Sequence, residues 1–346
     1  MNLRNLCRFS ALKLNDKAIL RNRVVVPPMA SETADKLGFV TSETQMHYSR
    51  LTQSGASLLI VEYSFVHGSG RSEEYQLGIS TDEHIPGLSS LSKIIHESGA
   101  LAGIQFSHGG GKSERGLTGG VLMGPSAISV PVKDQILEIP SAMELSDIEI
   151  WKRSFLEAAG RAVRAGFDLI EFHSAHGYGL NQWLSPITNQ RIDKYGIDLT
   201  GRLRLLLEVM KSVRENFPEL LISVRIPGQD FLEGGLSIQD MTHVAQELEA
   251  HGVNIIHVSS GIGGWRRPIS RKGEGYLVNE AIEIQKGVKI PVIGVGGIET
   301  GEYIDHGISN GFFTLAAVGR AILKDPRGWS EKNLCIQIPQ NALLNP

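Results

Sequence analysis

The sequence predicts a single (β/α)8 barrel with an N-terminal cap and an inserted lid after the third strand. Three observations predict it. Eight short apolar runs recur along the 346 residues, each followed by a longer stretch of helical period. The runs are continuous rather than alternating, as strands covered on both faces are. The length suits one large α/β barrel, and no domain boundary, low-complexity tail or solenoid repeat interrupts it.

The strands are expected at residues 24–26, 58–61, 101–105, 169–172, 221–224, 255–258, 292–295 and 313–317. Helices are expected at 82–98 behind an Asp82 cap, and at 146–165 behind a capping box of Ser146 and Glu149. A third, 237–251, opens on Ser237 and Asp240 and stops before Gly252. Residues 1–20 precede the first strand and are expected to close the barrel floor. Residues 107–145 are too long for a simple βα loop. They are rich in glycine (Gly109-Gly110-Gly111, Gly119-Gly120) and are expected to cover the C-terminal mouth, where barrel active sites lie. The rival fold, an open doubly wound sheet, lacks its fingerprint. Gly294-Val295-Gly296-Gly297 and Gly261-Ile262-Gly263-Gly264 both break the G-x-G-x-x-G spacing.

Composition narrows the function. Lys and Arg number 34 against 37 Asp and Glu, a net charge of −3 with a pI near 6.4, which argues against a basic nucleic-acid face. Two cysteines, Cys7 and Cys335, exclude an all-cysteine cluster, argue against a disulfide framework and fit a reducing compartment. No apolar run reaches roughly 18 residues and no apolar signal region opens the chain, so a cytoplasmic enzyme without membrane contact is expected.

Polar residues at the C-terminal ends of strands are the first functional suspects. They are Glu62-Tyr63, Gln105, the run Glu171-Phe172-His173-Ser174-Ala175-His176-Gly177-Tyr178, Arg225 and Ser259-Ser260. His173 and His176 can converge on one small acceptor, with Tyr178 near enough to deliver a proton. Structural histidines, or a metal site completed by Glu171 or Asp168, are the competing readings; the helical zinc motif H-E-x-x-H is absent. Arg225 ends an apolar strand, and a buried arginine needs an anionic partner or an internal ion pair. Gly294, Gly296 and Gly297 follow strand seven, and Gly319 and Arg320 follow strand eight. Backbone N–H groups of those two loops form the phosphate cup of such barrels; plain turns are the alternative.

In these residues the chain resembles the old yellow enzyme family of FMN-dependent ene-reductases, nearest its shorter bacterial subgroup, over about residues 20–326. The likeness is carried by Arg21 through Met29, Ile60-Val61-Glu62, Gly103-Ile104-Gln105, Gly124-Pro125-Ser126-Ala127-Ile128, Glu171 through Tyr178, Leu184-Ser185-Pro186, Asn189 through Gly196, Val318-Gly319-Arg320 and Lys324-Asp325-Pro326. The resemblance implies bound FMN, with NADPH or NADH as reductant. It puts Pro27, Pro28, Met29, Ala30 and Tyr63 beside the flavin ring, Gln105 on its pyrimidine edge and Arg225 near N1 and O2. Gly296, Gly297, Gly319 and Arg320 would hold the phosphate. His173 and His176 would grip the oxygen of an α,β-unsaturated carbonyl or nitro compound, and Tyr178 would be the proton donor in a ping-pong reduction of its C=C bond.

Four departures stand out. Ala30 replaces a flavin-tuning cysteine or threonine, Glu32 a substrate-binding tyrosine and Gly111 a loop arginine. Residues 341–346 lack the arginine–tryptophan tail that reaches a neighbouring subunit, so a homo-oligomer stays open but the shared-site dimer does not follow. Two other functions remain: a flavin diaphorase or quinone reductase without ene-reductase activity, and a metal-dependent barrel hydrolase using His173 and His176.

Overall fold

A computed structural model describes residues 7–132, 136–264 and 268–334. Eight parallel strands close into a barrel: β1 (Val24–Val26), β2 (Leu58–Phe65), β3 (Leu101–Ser107), β4 (Leu169–His173), β5 (Leu221–Pro227), β6 (Ile255–Ser259), β7 (Val292–Gly294) and β8 (Leu315–Ala317). They pair in chain order and β8 closes on β1, so no edge is left. Each follows its expected run. The main difference lies at the C-terminal ends, where β2, β3 and β5 run on to Phe65, Ser107 and Pro227, β2 through a break in register at Glu62 and Tyr63.

Packed around the barrel are α1 (Ser42–Thr52), α2 (Ile85–Glu97), α3 (Leu145–Arg164), α5 (Leu199–Asn216), α6 (Ile238–Ala250), α7 (Val278–Gly287) and α8 (Gly301–Ser309). Short α4 (Gly179–Leu184), α9 (Arg320–Lys324) and α10 (Pro326–Asn333) complete the helices used here. α6 starts as expected, with Ser237 Oγ accepting from Asp240 N–H. Two caps differ. α3 begins at Leu145, and Asp147 accepts from the Glu144 N–H at 2.8 Å; Ser146 and Glu149 are inside the helix, and Glu149 pairs with Lys152. Asp82 does not cap α2. It lies in a 3-10 turn, and its carboxylate is bound by Arg161 and Arg164 of α3 at 2.9 and 2.8 Å.

Inward-facing side chains form two zones. The floor is a plug of Leu58, Ile60, Leu169, Leu221, Ile255, Ile293 and Leu315, and Ala18 and Leu20 join it from the N-terminal segment. That segment is the antiparallel pair Leu12–Lys13 and Ile19–Leu20, so it seals the floor as expected. Above the plug lies a polar belt of Gln105, Glu171, Ser223 and His257, all 1% exposed or less. Between β3 and α3 the chain makes a 3-10 turn, Gly110–Lys112, and a parallel pair, Met123–Gly124 with Ser141–Ala142. Among the described residues no helix is long and apolar enough to cross a membrane.

Candidate active site

The strand ends open into one cavity of about 400 Å3. Pro27, Pro28, Met29 and Ala30, just past β1, make an apolar shelf on one side. The β2 ladder shifts register between Val61 and Ser64, and at that irregularity Tyr63 reaches the cavity. Gln105 enters from β3, His173 from β4, Arg225 from β5, and Gly297, Gly319 and Arg320 from the loops after β7 and β8. His176 and Tyr178 come from the turn before α4. Gly296 is set back: a Cβ there would fall 2.6 Å from the Leu277 backbone nitrogen, so its part is to let two chain segments touch.

The β4 turn is held from three sides. Ser174 N–H donates to the Arg225 carbonyl (2.9 Å), His176 N–H to the Ser260 carbonyl (3.2 Å) and Gly177 N–H to Asn181 Oδ1 (2.9 Å). The chain turns left-handed at His176 (φ 60°) and Gly177 (φ 76°), and a Cβ on Gly177 would lie 2.6 Å from the Ile262 carbonyl oxygen. The fold thereby brings the imidazoles together, with ring centroids 5.1 Å apart, and sets Tyr178 4.7 Å from His173. Ser259 Oγ lies 2.6 Å from His176 Nε2 and fixes that ring. Burial, then Arg225, holds both imidazoles well below the ordinary histidine range, so they are neutral at pH 7. Burial, then Glu73, pushes the Tyr178 phenol up to about 12. Lys112, brought down to about 8 by its own burial, sits with its ammonium 4.1 Å from the Tyr178 ring centroid.

Three polar atoms of cavity residues, Tyr63 Oη, His173 Nδ1 and Arg225 Nε, are buried without a hydrogen-bond partner. Leaving such groups unmade costs about 1–3 kcal/mol each, so the cavity is shaped for a ligand that supplies acceptors. FMN fits this donor set. The shelf takes a flat ring, Arg225 offers a cation to its electron-rich edge, and Gln105 offers an amide. Gly297 (φ 70°) and Arg320 stand together, a Cβ on Gly297 lying 3.2 Å from Arg320 Nη2, so a phosphate there would meet both backbone N–H and a cation.

Sequence reasoning missed Lys112, a lone cation behind three glycines, and Tyr276, whose Oη lies 3.4 Å from Arg320 Nη2. Tyr276 N–H donates to the Gly296 carbonyl across the last loops, a pairing no local pattern announces. Of the four departures, Ala30 lines the cavity. Glu32 does not: it lines a separate groove with Glu43 and Tyr75. At Gly111 a Cβ would meet Pro140 Cγ at 3.0 Å, so that proline occupies space a longer side chain needs. Residues 341–346, like Cys335, lie outside the described residues.

The metal reading loses its acids. The Glu171 carboxylate accepts from Gln105, Ser223 and His257, and Asp168 binds His96 and the Ala102 N–H at the far end of the strands. Among the described residues no three His, Cys, Asp or Glu side chains stand together as a ligand set.

Residues 9–333 match the family described as NADH:flavin oxidoreductase / NADH oxidase. The chain is 37% identical over 319 residues to the NADPH dehydrogenase of Listeria monocytogenes, covering 92% of this chain and 91% of that one. It is 36% identical over 320 residues to the NADH oxidase of Thermoanaerobacter brockii, covering 91% of this chain but only 48% of that longer one. Its backbone resembles morphinone reductase solved with tetrahydroNAD (TM-score 0.79, 25% identity, 94% of this chain and 90% of that one). It also resembles the old yellow enzyme homologue of Zymomonas mobilis (TM-score 0.81, 21% identity, 94% and 91%), a likeness of fold. The chain therefore belongs to the NADH:flavin oxidoreductase family of old yellow enzymes, and is an NAD(P)H-dependent oxidoreductase whose cofactor is FMN.

Proposed function

We propose that this chain reduces the activated C=C bond of α,β-unsaturated carbonyl or nitro compounds with NADPH or NADH as hydride source. One observation carries it: two neutral imidazoles and a protonated phenol converge on the same cavity as the flavin-binding shelf. FMN, when bound, would supply the hydride storage that links the nicotinamide to the alkene. Pro27 to Ala30, Tyr63, Gln105 and Arg225 would bind the ring, and Gly297, Gly319 and Arg320, with Gly296 behind them, the phosphate.

The protein's own part is to orient and polarise. His173 and His176 each present a ring N–H to the carbonyl or nitro oxygen, where negative charge grows as the β-carbon accepts hydride. Neutral rings suit this work, because they donate without surrendering a proton at the wrong atom. Tyr178 holds its proton on Oη for the α-carbon. Lys112, from the turn after β3, lies over the Tyr178 ring. Both substrates use the same cavity in turn, so initial-rate plots should be parallel, the mark of a ping-pong order.

The test is an anaerobic titration of the purified protein. NADPH or NADH should bleach the flavin band, and 2-cyclohexenone should restore it. Bleaching reversed by quinones or oxygen alone, across a panel of enones and nitroalkenes, would replace this reading with a diaphorase.

A further inference from the structure

The polar belt under the cavity contains a buried acid and a buried base that the chemistry above does not use. Glu171 and His257 are both 0% exposed. His257 Nδ1–H donates to Glu171 Oε2 at 2.9 Å, Ser223 Oγ donates to the same oxygen at 2.8 Å, and Gln105 Nε2 donates to Oε1 at 2.8 Å. Burying an acid and an imidazole together is expensive, and an apolar pair would fill the space as well. We infer that Glu171 and His257 are positioning residues: together they fix which end of the Gln105 amide faces the cofactor, and the Glu171 carboxylate balances the charge of Arg225.

A carboxylate only accepts, so it captures the amide nitrogen of Gln105 and leaves the carbonyl oxygen for the cavity. That end suits the imide N–H of the flavin pyrimidine edge. Without Glu171 the amide could turn over and offer that N–H a donor. The charges point the same way. Burial alone would raise the Glu171 carboxyl, but His257, Arg225 and Ser223 outweigh it and hold it ionised. Burial keeps His257 neutral against the pull of Glu171. The charged and titratable groups around His257 are Glu171 and His173 from β4, His176 from the turn after it and Arg225 from β5; its partner on β7 is Ile293, which is apolar. One carboxylate thus answers one guanidinium, and Arg225 keeps its Nε for the ligand.

The inference rests on the placement of Gln105 and Arg225 against the cofactor, so their variants serve as controls. Apoprotein of each variant is checked by circular dichroism, then titrated with FMN by fluorescence, and the midpoint potential of the reloaded protein is measured. Glu171→Gln keeps the shape and removes the charge. It should weaken FMN binding about tenfold, in the range of other supporting-residue losses. It should also raise the potential, since the uncancelled Arg225 favours reduced, anionic flavin; a tenfold preference corresponds to about 30 mV for a two-electron couple. His257→Leu removes a donor that holds Glu171 ionised, so it should weaken FMN binding and shift the potential upward, in the same direction as Glu171→Gln, and His257→Gln should restore part of both. Glu171→Met with His257→Leu replaces the pair by apolar volume and keeps the barrel filled. In that background Gln105→Leu should have little further effect on FMN affinity. If Glu171→Gln and the double variant bind FMN with unchanged affinity and potential while Gln105→Leu weakens it, the pair is only core and the inference fails. If Gln105→Leu and Arg225→Ala also bind FMN normally, the cofactor placement itself fails.

Discussion

Tyr178 keeps its proton at every pH the protein is expected to meet, because burial lifts the phenol to about 12. Its value as a donor comes from position. Tyr178→Phe should slow reoxidation by enones about a hundredfold, the low end for general acids, and leave reduction by NADPH within about twofold. Stopped-flow measurement of the two half-reactions checks this. The imidazoles act on the opposite charge. His173→Ala with His176→Ala should cost about a hundredfold or more in enone turnover while FMN stays bound, by analogy with loss of oxyanion donors. Glu62 makes a different prediction. Burial, against donors from Ser31 and Tyr48, raises this carboxyl from 4.5 to about 7. The folded state then holds a proton that the unfolded chain has already released, so stability falls as pH rises from about 4.5 to 7, by up to about 3 kcal/mol. Urea unfolding at pH 5 and pH 7 should show that slope, and Glu62→Gln should flatten it.

At the scale of the element, what could be read beforehand was whatever is local. Every strand was visible because β-branched and leucine-rich runs are continuous, and α6 because Ser237 and Asp240 form a local box. The exact strand ends were not: β2 runs on past Glu62 and Tyr63 to Phe65, and β5 past Arg225 to Pro227. Caps were misread where a distant partner decides, as when Arg161 and Arg164 claim Asp82. The candidate site was legible for a related reason. A barrel puts strand ends together whatever the loops do, so His173, Arg225 and Arg320 could be grouped without knowing a single contact. The phosphate loops carry the prediction at this scale. Arg320→Ala removes a charged donor worth about 1.5–3 kcal/mol, so FMN affinity should drop about 10- to 100-fold in a fluorescence titration. The enzyme should regain rate in excess FMN.

Across the whole molecule the missing information was long-range. His257 and Glu171 are 86 residues apart and Arg8 reaches Asn333 over 325. No periodicity records such pairs, because each side chain alone reads as one more polar residue. Arg8 binds Asp305 and the carbonyls of Gly301 and Asn333, joining the start of the described chain to α8 and α10. Arg8→Ala strips the partner from an acid and two carbonyls, and should cost about 2 kcal/mol, or several degrees in the thermal midpoint. Turnover at 25 °C should be unchanged, since the cavity residues are untouched.

The polar belt crosses the middle of the barrel. Gln105 and Glu171 belong to the first four strands, and Ser223 and His257 to the last four. A chain cut between α4 and α5 would leave one fragment with a carboxylate seeking donors and the other with donors seeking a carboxylate. Neither half could close on itself without stranding an ionised or polar group in a hydrocarbon interior. Co-expressed, the two fragments would each supply the partners that the other lacks across the seam between β4 and β5.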